Sequence, residues 1–156
     1  MALIGAFTRP ASADPYGAFS FAVELMGVIS AGFNEVSGLQ SEVEVTDYRE
    51  GGNNEYVHKV AGPAVYRTNL VLKRGYTNSF ELWDWHAATL AGAVRPLPIS
   101  VLLHDRSGEP KWRWTFRDAY PVKWVGPALR GSTAEVAVET LELAHHGLLL
   151  PQSGLA

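Results

Sequence analysis

The chain is 156 residues long, 47% hydrophobic and 19% charged, which is the usage of one globular domain with its own core rather than of a disordered tail or fibrous repeat. It has no cysteine, which excludes disulfide frameworks, thiolate metal sites and thiol nucleophiles together. A formal net charge of -3 is too mild for a protein that must neutralise a run of phosphates.

Residues 1–15 read as an N-terminal arm, because Arg9 interrupts the short apolar run 2–7 before a signal-type region of about 7–15 residues can form. The longest apolar stretch, 18–33, carries Ser20, Glu24 and Ser30 and is too short for a membrane helix. Alternation of apolar and polar residues predicts strands over 18–26 and 41–48. Between them Gly27, Gly32 and Gly38 suit a hairpin and a bend. Residues 49–64, REGGNNEYVHKVAGPA, are rich in glycine and asparagine and predict an extended loop or a projecting hairpin before a strand over 65–73.

Phe80, Trp83, Ala87, Leu90, Ala91 and Val94 recur at helical spacing and predict one helix over about 79–93, capped by Asn78 and stopped by Gly92 and Pro96. Strands over 97–104, 111–117, 122–125 and 133–145 follow, with Ser107-Gly108 as a turn. In 111–117, Trp112, Trp114 and Phe116 alternate with Lys111, Arg113 and Arg117, which predicts one core face and one wet or paired face. The expected fold is mainly β with one helix, an antiparallel β-sandwich or barrel whose helix covers an edge or an open end, followed by a C-terminal tail over 149–156.

A search for chemistry returns little. His145 and His146 are adjacent at a strand end, so their side chains diverge, and they are expected to face solvent. His86 has no histidine or acid at 82 or 90, so it makes no HExxH-like face and is expected at a rim. Asp105 and Glu109 flank a turn and are expected to solvate it rather than act as a glycosidase pair. GGNN at 51–54 lacks the lysine of a phosphate loop, and no GxSxG elbow occurs. The tryptophans interleave with basic residues as on a strand-stacking surface, but their alternation favours a core role. Residues 1–60 hold three Lys/Arg against eight Asp/Glu, and 106–130 six against two. Such halves suit head-to-tail association between copies, although solvation of the surface is the simpler account. No catalytic, metal or cofactor site is expected, and the profile favours a structural or binding role.

Several blocks carry a resemblance: FSFAVEL at 19–25, GVISAGFNEVSGLQSEVEVTDYREGG at 27–52, LVLKRG at 70–75, NSFELWDW at 78–85, WRWTFRDAYPVKWVGPAL at 112–129 and AEVAVETLELAHHGL at 134–148. In this order, over roughly 16–148, the chain resembles the phage tail tube family, the inner-tube subunits of contractile injection systems and contractile phage tails, related to the type VI secretion tube protein. The resemblance implies a non-enzymatic subunit without cofactor, forming stacked hexameric rings around a channel inside a contractile sheath. Its implied partners are further copies of itself, the sheath, baseplate, spike and tube-terminating proteins, and effector cargo in the lumen. Nucleic acid enters only as a passing genome, if the particle is a phage tail. It also implies assembly in the cytoplasm as part of a phage tail-like particle, released outside the cell or forming a virion tail. Segment 49–64 corresponds to the family's projecting loop, making Glu50, Asn53, Asn54, Glu55, Tyr56 and Lys59 candidates for inter-subunit and ring-stacking contacts. Glu42, Glu44, Glu135 and Glu139 are candidates for the channel lining. The alternatives are a tube-initiating baseplate subunit of the same apparatus and, in a different class, a small-ligand-binding β-barrel.

Overall fold

In the computed structural model, which describes residues 17, 20–26, 28–30, 32–52 and 55–153, ten strands and one helix follow one another along the chain. They are β1 (Phe21–Leu25), β2 (Val28–Ser30), β3 (Phe33–Ser37), β4 (Glu42–Tyr48), β5 (His58–Val65), β6 (Leu70–Gly75), α1 (Glu81–Leu90), β7 (Leu97–His104), β8 (Pro110–Val125), β9 (Val138–Ala144) and β10 (Leu148–Ser153). Every pairing is antiparallel. The main sheet runs β2-β1-β7-β8-β9-β6-β3, β10 pairs with β8, and β4 pairs with β5 as a separate ribbon.

β8 organises the molecule. The expected strands 111–117 and 122–125 are one strand of 16 residues, turned at Asp118, which has φ of 50°. Its first half lies between β7 and β10 and its second half pairs with β9. One strand thereby serves two sheet segments, and their inner faces enclose the core together with α1. Val23, Leu70, Leu72, Ile99, Val101, Phe116, Ala119, Leu141 and Leu143 from the strands pack with Leu82 and Trp85 from the helix. Side chains of every second residue along β6 and β9 reach this layer, as the two-residue strand period requires.

Several boundaries differ from expectation for identifiable reasons. Gly126, Pro127 and Gly131 keep residues 126–137 out of the ladder, so β9 begins at Val138. Segment 65–73 divides between the end of β5 and β6. Part of the expected C-terminal tail adds β10 beside β8. In segment 49–64, residues 58–64 belong to β5, so the segment is the tip and return strand of a hairpin. The N-terminal arm, residues 1–15, lies outside the described residues.

The helix is shorter than expected and rolled differently. Phe80 occupies the N-cap with no side-chain bond to the first turn, while Asn78 lies before it. Leu82, Trp85 and His86 are buried, whereas Phe80 and Leu90 are 65% and 68% exposed. α1 offers two apolar stripes, and the sheet receives the one whose Trp85 can donate its indole N–H to the Arg95 carbonyl at 2.9 Å, which removes the penalty of burying it. At the β3–β4 bend Gly38 has φ of +90°, and a Cβ there would lie 2.1 Å from the Asn69 carbonyl oxygen. No other residue type fits that crossing.

Candidate functional site

The β4–β5 ribbon contributes no residue to the core. Cross-strand partners are Val43 with Ala64, Val45 with Ala61, Thr46 with Val60, Asp47 with Lys59 and Tyr48 with His58. Partners share a face, so both faces carry apolar groups, and Val43, Val45, Tyr48 and Val60 are all at least half exposed. The strand over 41–48 thus keeps its predicted alternation without the burial that alternation usually signals. Two strands alone are marginal in water, and exposed apolar groups on both faces make the ribbon a candidate interaction surface.

The tip of the ribbon gathers most of the residues expected to make contacts. Glu50 Oε2 stands 3.5 Å from His58 Nε2, and Tyr56 packs edge-on against the His58 ring at 4.8 Å. Lys59 faces Asp47 across the ladder, and Glu55 is exposed. Asn53 and Asn54 lie outside the described residues. The expected channel acids divide. Glu44 on β4 and Glu135 in the loop before β9 are exposed, and Glu42 is half-buried beside Gln40, whose amide donates to its carboxylate at 2.5 Å.

Glu139 is a correction. It is 4% exposed and opposes Arg74 across the β6–β9 ladder, continuing the inward row formed by Leu72 with Leu141 and Leu70 with Leu143. Arg74 Nε donates to Glu139 Oε1 at 2.5 Å, its Nη1 to Glu81 Oε1 at 2.9 Å and its Nη2 to the Ser79 carbonyl at 3.3 Å. Trp124 Nε1 donates to the second Glu139 oxygen at 3.1 Å. Every strong polar position of this pair is thus used within the subunit, tying β6, β8 and β9 to the start of α1. Sequence reasoning missed Arg74, although its place two residues beyond Leu70 and Leu72 put it on the inward face.

The histidine expectations also change. His145 is 7% exposed, lying 4.7 Å from the Phe116 ring and 5.3 Å from the Tyr66 ring, with neither ring nitrogen hydrogen-bonded. Only His146 faces outward, 3.4 Å from Asp118. Strand alternation explains the split, because β9 carries its inward parity on through 145. Burial pushes the His145 pKa below its ordinary value of 6.5, and the neighbouring His146 adds to this. His86 is likewise buried rather than at a rim. Well above pH 6.5 His145 is neutral folded and unfolded alike. Between that value and its lower folded pKa, only the unfolded chain takes up the proton, so stability falls as pH falls. In urea titrations from pH 7 to 5, His145→Phe is expected to lose part of this slope, and an unchanged slope refutes the assignment.

Of the tryptophans, Trp85 is buried, while Trp112 and Trp114 are half-buried and stacked at 6.2 Å. Two residues of the basic face of β8 are paired: Arg113 bonds Glu24 at 3.2 Å, and Lys111 reaches Asp105 and Glu109. Among the described residues no group of three or more His, Asp or Glu side chains converges as a metal set. The space between the sheet segments is lined by apolar side chains of the core.

Comparison with known proteins agrees with the architecture. The family model of the T4-like virus tail tube protein gp19 matches residues 17–149. A chain from an extracellular contractile injection system, the PVC sheath–tube complex in its extended state, superimposes with a TM-score of 0.80 at 25% identity, covering 90% of this chain and 93% of that one. A chain from the PVC sheath/tube terminator gives 0.81 at 26%, covering 92% and 100%. Hcp1 from Flavobacterium johnsoniae shares the fold at 0.50 and 14%, covering 87% and 97%. A search of curated proteins finds no match.

Proposed function

The chain belongs to the T4-like virus tail tube protein family and is a structural tube subunit of the contractile-injection type, and from that premise we propose how its surfaces are used. Copies close into hexameric rings that stack around a common channel, and the β4–β5 ribbon is the element that seats on neighbouring copies. The observation that carries this reading is the ribbon itself, apolar on both faces and unsupported by its own core. A subunit that folds alone would gain nothing from such a ribbon, whereas association covers it at roughly 25 cal/mol per Å² of apolar surface.

Glu50, Glu55, Tyr56 and Lys59, with Asn53 and Asn54, supply the polar rim of that contact, where charge sets register more than affinity. The outer edges of β2 and β3, at the two ends of the main sheet, pair with strands of adjacent copies and so close edges that would otherwise invite aggregation. Glu42, Glu44 and Glu135 give the lumen a negative lining that keeps passing cargo from adhering. The subunit carries no catalytic activity, assembles in the cytoplasm and works with sheath, baseplate and terminator proteins. The neighbours from sheath–tube and terminator assemblies support this last reading.

Negative-stain microscopy of concentrated protein, with its mass in solution, tests the proposal. Stacked rings with a central hole are expected. A monomer that also fails to join native particles overturns it. Copy number in those particles separates a main tube subunit, present in many rings, from a tube initiator, present in one.

A further inference from the structure

The β4–β5 ribbon belongs to no other sheet, so its position on the subunit depends on its root. Glu42 and Val65, the first residue of β4 and the last of β5, form the final rung. Two links run on from there, 38–41 and 66–69, and they cross where Gly38 meets the Asn69 carbonyl. The second link is held on β9 at both of its ends. Asn69 donates from Nδ2 to Glu142 Oε1 at 3.2 Å, and the Tyr66 ring lies 5.3 Å from that of His145, the residue after β9, whose other ring contact is Phe116 at 4.7 Å.

This fastening is sensitive to charge. His145 is buried with neither ring nitrogen hydrogen-bonded, and the backbone of Thr68 and Gly147 adjoins it without reaching hydrogen-bond geometry. The groups around it supply no free anion. The link brings Tyr66 and the exposed Arg67. β8 brings Arg117, since a Cβ on Gly147 would lie 3.5 Å from its Nη2 and 3.6 Å from the Tyr66 ring. Asp118 is engaged by His146, and Glu142 by Asn69 and Lys123. An imidazolium at 145 is therefore buried without a partner beside a guanidinium, and it gains by leaving for water. Of the other histidines, His58 sits at the ribbon tip against Glu50, where a proton strengthens the contact, and His86 and His104 lie on α1 and β7.

We propose that the ribbon root is an acid-released latch: protonation of His145 draws its ring away from Phe116 and Tyr66 and frees the ribbon from the orientation in which it seats on neighbouring copies. This rests on the tube reading and adds a control by pH to it. The released arrangement binds the proton with the ordinary pKa of 6.5 and the latched one only below it. Falling pH therefore favours release, by up to about tenfold at pH 5.5, where carboxylates still keep their charge. Hydrogen exchange on dilute, unassembled protein tests the latch itself. Protection over residues 64–69 is expected to lie well below that of β6 and β9, as a local opening requires, and to fall by up to about tenfold from pH 7.5 to 5.5. His145→Phe, which keeps a ring but cannot titrate, should show no such fall, whereas His58→Gln and His146→Gln should retain it. Tyr66→Ala should lower protection over 64–69 already at pH 7.5. Tubes should grow less readily at pH 5.5 than at pH 7.5 from the wild-type protein and equally at both from His145→Phe. Protection over 64–69 equal to that of β6 and β9, or an acid-induced fall that persists in His145→Phe, overturns the latch. Equal growth of wild-type tubes at the two pH values overturns its part in assembly. The absence of tubes from the wild-type protein and from native particles overturns the tube reading instead, and the exchange result then still decides the latch.

Discussion

Glu139→Ala is expected to destabilise the folded subunit by about 3–5 kcal/mol, the cost of leaving one member of a buried ion pair without its partner. Arg74 is 3% exposed and loses its bond to Glu139, keeping only Glu81 at the surface and the Ser79 carbonyl. The half-buried Trp124 indole N–H loses its acceptor at the same time. Glu139→Gln, which retains an acceptor for Trp124, should cost less. Replacing both partners, Arg74→Leu with Glu139→Leu, should recover most of the loss, since the pair sits in a row of leucine pairs and well-packed apolar substitutes often match a buried pair. Urea denaturation of the four proteins decides the matter. A loss below about 1 kcal/mol for Glu139→Ala would place this carboxylate at the surface and return it to the channel candidates.

Excising Glu44–Pro63 and joining Val43 to Ala64 through an Asn-Gly turn is expected to abolish tube formation while leaving the subunit folded. Val43 and Ala64 face each other across the ladder, a span that a two-residue type I′ turn closes. The excised residues supply nothing to the core, so the shortened protein should melt within about 4 °C of its parent, a shift of about 1 kcal/mol or less. Sedimentation and microscopy should nevertheless find no rings stacked into tubes, because the apolar ribbon proposed to bridge copies is gone. Point variants give an independent check: Val45→Thr with Val60→Thr keeps β propensity, removes apolar surface from both ribbon faces and should lower tube yield. Long tubes from the excised protein would refute the role given to the ribbon.

The strands were legible where a segment had one buried face. β6 and β9 alternate in burial as their period requires, whereas β7 is buried on both faces over Ile99–Leu102 and the first half of β8 is half-buried up to Phe116. β4 shows that the same pattern does not guarantee burial within one chain: Val43 and Val45 alternate correctly, yet both stay exposed. The contact candidates at the ribbon tip rested on family resemblance alone, since turn-rich polar sequence has no periodicity to interpret. α1 was placed correctly but rolled wrongly, because spacing counts two apolar stripes equally and cannot say which one meets a sheet. Glu139 and Arg74 were misjudged for a related reason. Each looks like a solvated charge in its own segment, and only the register of β6 against β9 makes them partners.

Composition and local pattern by themselves determined a cysteine-free, antiparallel β domain with one helix, and the ordered blocks determined its family. Those properties depend on neighbours within a few residues, where sterics and side-chain alternation act. The buried Arg74–Glu139 pair, the unpaired face of α1, the buried imidazole of His145 and the separation of the β4–β5 ribbon from the core were decided by tertiary structure alone. Each depends on groups distant in sequence meeting in a low-dielectric interior or failing to meet, and that energy is set by three-dimensional packing rather than by the local chain.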